Sequence, residues 1–320
     1  MRFRVWAAIL CTSFAVILIA PFFGAEPTSV RHLFDSQSIE FRILWELRVP
    51  RVAFVALCGG GLAILGATYQ VLFRNPLAEP YVLGTSTAVT LGVVFAEVFL
   101  KFSSYTVEAL GTGFLFALSV TSLLMALTFT RVGKEVERII LFGMGMNFVL
   151  SSVLFLLLSF YYQHMGGGSL RWLFGHIPWV GFRDVGWLAI VSVPCMILLF
   201  ILSRHLDALS LGDSVARTLG VSPFRSRFIL LALTCVFLSF IVCLTGAIGF
   251  VGLVVPHIVR LCVAPSSTRT LLGISLPLGA VFLVISDLVS RVILPPFEFP
   301  IGIITTIVGG PLFLILLWKR

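Results

Sequence analysis

The side chains able to do chemistry are few, and several fall in one short stretch. Near the three-quarter point the chain reads Gly246-Ala-Ile-Gly249-Phe-Val-Gly252-Leu-Val-Val-Pro256-His257-Ile-Val-Arg260, which sets three glycines, a proline, a histidine and an arginine inside an apolar run. Elsewhere the ionisable groups in apolar stretches are Glu97, Asp287 and Arg291, each close to the end of its stretch. An ion-coupled carrier relies on a buried carboxylate or histidine to hold the coupling charge, and residues at span ends are poorly placed for that role. His257, beside Pro256 and ahead of Arg260, reads as a structural histidine at a helix end. The cysteines Cys11, Cys58, Cys195, Cys235, Cys243 and Cys262 lie in apolar segments without ligand-like spacing, so they read as small hydrophobic side chains. No GxxxxGK[ST] phosphate loop, HExxH or GxSxG motif occurs. No catalytic residue, metal ligand or cofactor site is therefore assigned.

What positions these groups is a membrane. Of 320 residues, 59% are hydrophobic and only 11% charged, against about 25% charged in soluble domains. The net charge of +8 is spread over short loops, which reads as topology and argues against nucleic acid. Apolar segments run over 5–23, 52–73, 82–100, 109–130, 139–162, 185–203, 228–245, 248–263, 271–294 and 300–318. The expected fold class is an all-α integral membrane protein with about ten transmembrane helices, since a helix satisfies its own backbone polar groups in lipid. The first segment follows Arg2 and Arg4 and is longer than a signal-peptide core, so an uncleaved span is expected.

The opening motif fits this scheme only if the chain turns back. From Phe228 to Pro256 no side chain is charged, and as a single helix that run would extend roughly 43 Å, beyond a hydrocarbon core of about 30 Å. Two shorter helices reversing at Gly246 to Gly249 solve the mismatch, because glycine accepts the dihedrals of a tight turn. Gly59, Ala63 and Ala67 recur every fourth position and predict a close-packing helix face. Asn75-Pro76-Leu-Ala78-Glu79-Pro80 predicts a rigid corner between the second and third spans.

An even number of spans puts both termini on one side, and most of the 22 lysines and arginines then fall on the side of the termini, which is thereby expected to be cytoplasmic. Three connections are long enough for structure of their own. In the outer loop 24–51, the residues Ile39, Phe41, Ile43, Leu44, Trp45 and Leu47 suit an interfacial helix. A second outer loop, 164–184, carries Trp172 and Trp179 as headgroup-level aromatics. The inner loop 204–227 contains Ser210 and Asp213 as a capping pair, Leu211, Val215 and Leu219 at helical spacing, and Gly220 with Pro223 as a stop signal. So short a helix is marginal in water and needs a surface to pack on, either its own membrane domain or a cytoplasmic partner.

Taken in order, Arg48-Val-Pro-Arg51, Arg74-Asn75-Pro76-Leu-Ala-Glu-Pro80, Leu83-Gly84, Ala216-Arg217-Thr-Leu219-Gly220, the Gly246 to Arg260 stretch, Asp287 to Arg291, and Phe299-Pro-Ile-Gly302 through Gly310-Pro311-Leu-Phe313 resemble the FecCD-like permeases. These are the membrane subunits of type II ABC importers for iron-siderophore, haem or cobalamin. The resemblance runs from about residue 40 to the C-terminus. It implies a single permease domain over 1–320, paired with a second permease subunit, two cytoplasmic ABC ATPase subunits beneath, and a periplasmic substrate-binding protein that delivers the chelate. It assigns Leu211, Gly212, Asp213, Val215, Ala216, Arg217, Leu219 and Gly220 to the helix gripped by the ATPase. It assigns Arg48, Arg51 and Arg291 to docking of the binding protein, and Asn75, Pro76, Gly246, Gly249, Gly252, Pro256, His257 and Arg260 to structural motifs. Val136 and Glu137 match a cytoplasmic gate that in relatives is lined by small polar residues, from which Val and Glu depart.

The expected function is therefore import of an iron complex or cobalamin across the bacterial inner membrane, driven by ATP hydrolysis in partner subunits, with an iron complex favoured on breadth of use. The chain itself is not an enzyme in this reading. The competing reading, an ion-coupled secondary transporter, predicts uptake that persists without an ATPase and collapses with the proton gradient.

Overall fold

The computed structural model describes residues 2–24, 38–102, 107–127, 136–162, 173–294 and 297–318, and every regular element among them is a helix. They are α1 (Arg2–Ile19), α2 (Ile39–Leu72), α3 (Thr85–Phe99), α4 (Val107–Leu127), α5 (Val136–Tyr162), α6 (Phe182–Ile201), α7 (Ser203–Ser210), α8 (Asp213–Thr218), α9 (Pro223–Thr245), α10 (Val251–Val263), α11 (Thr268–Val292) and α12 (Ile301–Trp318). Five of them, α2, α5, α6, α9 and α11, are long and apolar enough to cross a bilayer, and shorter apolar stretches lie in α1, α3, α4, α10 and α12. Together these correspond to the ten apolar segments of the sequence.

The bundle is built on α2, whose apolar length is almost wholly enclosed. It packs antiparallel to α11, with Gly59 against Gly279, Gly60 against Leu276 and Arg51 against Asp287. A Cβ on Gly59 or Gly279 would collide with the backbone of the other helix, so these small residues let the two main chains touch. Ala63, pressed on Gly279, and the fully buried Ala67 complete the face expected from their spacing. By contrast α5 leaves most of its apolar surface exposed, including Leu141, Phe148, Phe155 and Phe160.

Residues 39–48 form no separate interfacial helix. They continue into α2 through a π-helical stretch, Ile43–Arg48. Pro50 follows at once and cannot donate a backbone hydrogen bond to the preceding turn, so a widened turn here lets the helix pass the proline without a break.

The reversal between α9 and α10 occurs where expected, but its second arm starts deep in the bundle. Gly246 adopts φ +70 and ends α9, and a second left-handed residue, Phe250 at φ +69, precedes α10. Gly302, in the first turn of α12, lies against Ala247, whereas Gly309, two turns deeper, lies against Phe250. The intervening segment thus descends about 10 Å along α12 before the helix begins. With 13 residues α10 spans only about 20 Å, and the extended segment before it supplies the remaining depth.

Candidate functional site

A helix that starts inside protein leaves backbone N–H groups facing a water-poor interior, and these must find acceptors. In α10 the acceptor is Glu79. Its side chain is buried, and its Oε1 accepts the Gly252 N–H at 3.1 Å. A carboxylate at this helix end also meets the positive end of the helix dipole. The corner around Asn75 and Pro76 explains the placement. The Asn75 side chain accepts the Leu77 N–H at 2.8 Å, and the turn it closes carries Ala78 and Glu79 back beneath α10.

Gln70 braces the same region from α2. Its Nε2 donates to the Gly252 and Leu253 carbonyls at 3.0 and 3.3 Å, while its Oε1 accepts from Arg260 of α10. Gly66 of α2 lies on the Gly252 main chain so closely that no Cβ fits between them. Gly252 and Arg260 from the quoted motif are thus brought together with the Asn75 corner, while Gly249 packs against the ring of Tyr81, two residues beyond Glu79. Pro256 is buried and His257 half-buried. No His, Cys, Asp and Glu group with metal-binding geometry occurs among the described residues. Sequence reasoning saw a rigid corner here but missed Glu79 and Gln70, because their partners lie 173 and 182 residues away.

The bundle end that carries Arg74 presents the short helices α7 and α8. Here the capping pair expected of Ser210 and Asp213 does not form: the Ser210 hydroxyl donates back to the Asp207 carbonyl, and Gly212, at φ +113, breaks the chain so that a new helix starts at Asp213. Asp213 instead bridges two arginines. It accepts from Arg227 of α9 at 2.9 and 2.6 Å and from Arg74 at 3.0 Å, while Arg74 Nε also donates to the Leu209 carbonyl. Partial burial pushes the Asp213 carboxyl up, but the Arg227 hydrogen bonds and the two positive charges outweigh this and hold it below the usual carboxylate range. Ala216 is fully buried under α8, and Gly220, at φ +78, ends the turn, with the Val221 N–H donating to the Ala216 carbonyl. Leu211, Val215 and Leu219 remain bare, at 64%, 39% and 60% exposure. Arg217 lies in the last turn of α8.

At the opposite end, Asp287 ties two of the three predicted docking arginines together. Its Oδ1 accepts from Arg51 at 3.1 and 2.9 Å, its Oδ2 accepts from Arg291 at 3.1 Å, and Glu298 accepts from the far side of Arg51. Arg48 is also largely buried and lies against Gly24. All three arginines line a cavity of about 380 Å³ together with His176, Trp179 and Glu298. At the predicted gate, α5 begins at Val136, and the side chains of Val136 and Glu137 lie outside the described residues, as does Trp172.

Among the described residues, an all-helical bundle with a half-length helix capped by the distant Glu79 and a braced pair of short helices at one end fits a multi-pass membrane protein. Residues 11–319 match the FecCD transport family, and the chain belongs to that family. It is 36% identical over 284 residues, 88% of this chain and 85% of the relative, to the vitamin B12 import system permease protein BtuC of Vibrio cholerae. It is 35% identical over 276 residues, 86% and 83% of the two chains, to the corresponding protein of Escherichia coli O157:H7. Among solved structures, an inward-facing metal-chelate type ABC transporter superposes with a TM-score of 0.81 at 26% identity, covering 99% of each chain. PsaBC from Streptococcus pneumoniae shares the fold at a TM-score of 0.57 and 17% identity, over 83% of this chain and 90% of that one. The chain is thus a permease of the ABC-importer class.

Proposed function

We propose that this chain is the membrane subunit that carries an intact metal chelate from periplasm to cytoplasm, using ATP hydrolysed by two cytoplasmic partner subunits. The observation that carries this reading is the bare apolar trio Leu211, Val215 and Leu219, held in place by the Asp213 bridge. Exposed leucines and a valine on a braced surface helix are costly in water and suit a hydrophobic groove on a partner. The same reading puts both termini and the Arg74 end in the cytoplasm, in line with the distribution of lysine and arginine. It makes the Arg51 end the docking face for a periplasmic binding protein, and a second permease subunit the cover for part of the exposed apolar surface of α5.

Cobalamin is the first substrate to test, because the 35–36% identical relatives are vitamin B12 permeases. Ferric siderophore and haem follow from the metal-chelate type neighbour. The chain should be reconstituted with its ATPase and binding protein, and uptake of radiolabelled cobalamin and ferric siderophore compared with and without ATP. Cysteines placed at Val215 or Leu219 should crosslink to the ATPase. Uptake that ignores the ATPase and follows a proton gradient would overturn the reading.

A further inference from the structure

The Arg51 end holds a second cavity, larger and different in character. It encloses about 550 Å³, within the roughly 300 to 1,000 Å³ common for small-molecule sites. Phe54 of α2 and Phe240 and Leu244 of α9 line it together with Leu110 of α4 and the indole of Trp187 from α6. Among the described residues, Asp184 is the one charged lining group, and it accepts the Gly181 N–H at 2.9 Å at the start of α6. Trp179, also lining it, stands 87% exposed. From Trp187 the outer face of α6 continues as bare apolar surface through Ile190, Val193, Ile197 and Ile201. The cavity is therefore continuous with a face that meets hydrocarbon in a membrane, while its tryptophans mark headgroup level.

One further group fixes the kind of occupant. Arg183 is exposed and has no hydrogen-bond or ion-pair partner among the described residues. It lies one helical turn before Trp187, on the same side of α6, and directly precedes the lining residue Asp184. An apolar cavity with an unpaired guanidinium at headgroup depth suits an amphiphile with a fatty chain and a phosphate. We infer that this chain carries a specific glycerophospholipid site, with one acyl chain in the cavity and the phosphate on Arg183. The site stands apart from the Asp213 bridge and does not depend on the transport reading.

The test is native mass spectrometry of the full chain, purified in detergent and supplied with phosphatidylglycerol. Wild type should keep one phosphatidylglycerol per chain under washing that strips loosely held lipid. Arg183→Glu should weaken retention by about tenfold or more, the effect of losing a charge-assisted hydrogen bond. Leu110→Trp, which fills the cavity, should abolish it. If Leu110→Trp fails to fold, Arg183→Glu at its exposed position decides alone. Equal retention by Arg183→Glu, retention of fatty acid or detergent in place of phospholipid, or no retained lipid in wild type would each overturn the proposal. So would a loss of dimer on cavity filling with lipid binding intact, which would make the cavity a contact between copies of this chain.

Discussion

The Glu79 carboxylate accepts a hydrogen bond from the Gly252 amide, joining a corner of the chain to the buried start of a helix 173 residues later. Because Gly66 and Gln70 hold the same helix end from α2, the corner, the half-length helix and the central helix form one block. Glu79→Ala should leave amides of α10 without an acceptor in a dry interior, a loss of about 1–3 kcal/mol for the unmade bond and cap. Glu79→Gln keeps an acceptor oxygen and loses only the charge against the helix dipole, so its cost should be smaller. Thermal unfolding in detergent orders the three proteins, and an alanine variant as stable as wild type would rule out the cap.

The contact between α2 and α10 yields a steric prediction. Gly66→Ala drives a methyl into the Gly252 main chain, and backbone cannot rotate away as a side chain can. Overpacking of this kind costs typically 1–3 kcal/mol. Gly111 of α4 is a matched control with open space where its Cβ would go. Gly111→Ala should stabilise by up to about 1 kcal/mol through helix propensity. Melting shifts of opposite sign are the expected result, and a neutral Gly66→Ala would contradict the packing.

Much of this architecture is legible in the sequence, for reasons of scale. A charge-free run from Phe228 to Pro256 is too long for one crossing, so a reversal follows from bilayer thickness alone. What length does not reveal is that the second arm begins inside the bundle, because that depends on Glu79 and Gln70 from distant parts of the chain. The Ser210 and Asp213 pair failed for a local reason, since Gly212 at φ +113 interrupts the helix between them. Its signal was the glycine itself. Residues 39–48 misled because charges set the outer loop 24–51 apart from the apolar segment starting at 52, whereas the helix runs on through a π-helical turn past Pro50. The resemblance groups Arg48, Arg51 and Arg291 as docking residues, but the sequence does not reveal that the Asp287 carboxylate binds two of them.

That carboxylate has its own consequence. Asp287 is 1% exposed and neutralises two arginines. Asp287→Asn removes the charge and leaves Arg291 buried and short of its partner, an imbalance that costs about 3–5 kcal/mol. Glu298→Gln should cost far less, because that side chain is 36% exposed and Arg51 retains Asp287. Adding Arg291→Met to Asp287→Asn should recover part of the loss by removing the stranded charge. Additive losses in that double variant, measured by chemical or thermal unfolding, would show that Asp287 and Arg291 are not coupled.

The Asp213 bridge should matter more for transmitting motion than for stability. Its side chain is 43% exposed, so breaking it costs only the roughly 0.2–1 kcal/mol of a surface ion pair. Yet it ties α8 to both Arg74, just past the end of the central helix, and Arg227, at the start of α9. Asp213→Asn is therefore expected to leave melting nearly unchanged and ATP hydrolysis by the assembled transporter intact, while uptake per ATP falls severalfold. The pH dependence follows from the sign of the shift. The folded-state carboxyl titrates below its ordinary value, so the bridge is fully charged above the usual carboxylate range and is lost only as pH falls through that lowered value. Between pH 5 and 8 the coupling ratio of wild type should thus stay flat with respect to this group. Arg227→Lys keeps the charge but loses the two-point grip, and an intermediate coupling ratio in that variant would separate geometry from charge. A variant whose uptake and hydrolysis fall in step would place Asp213 in ATPase binding instead of in the relay.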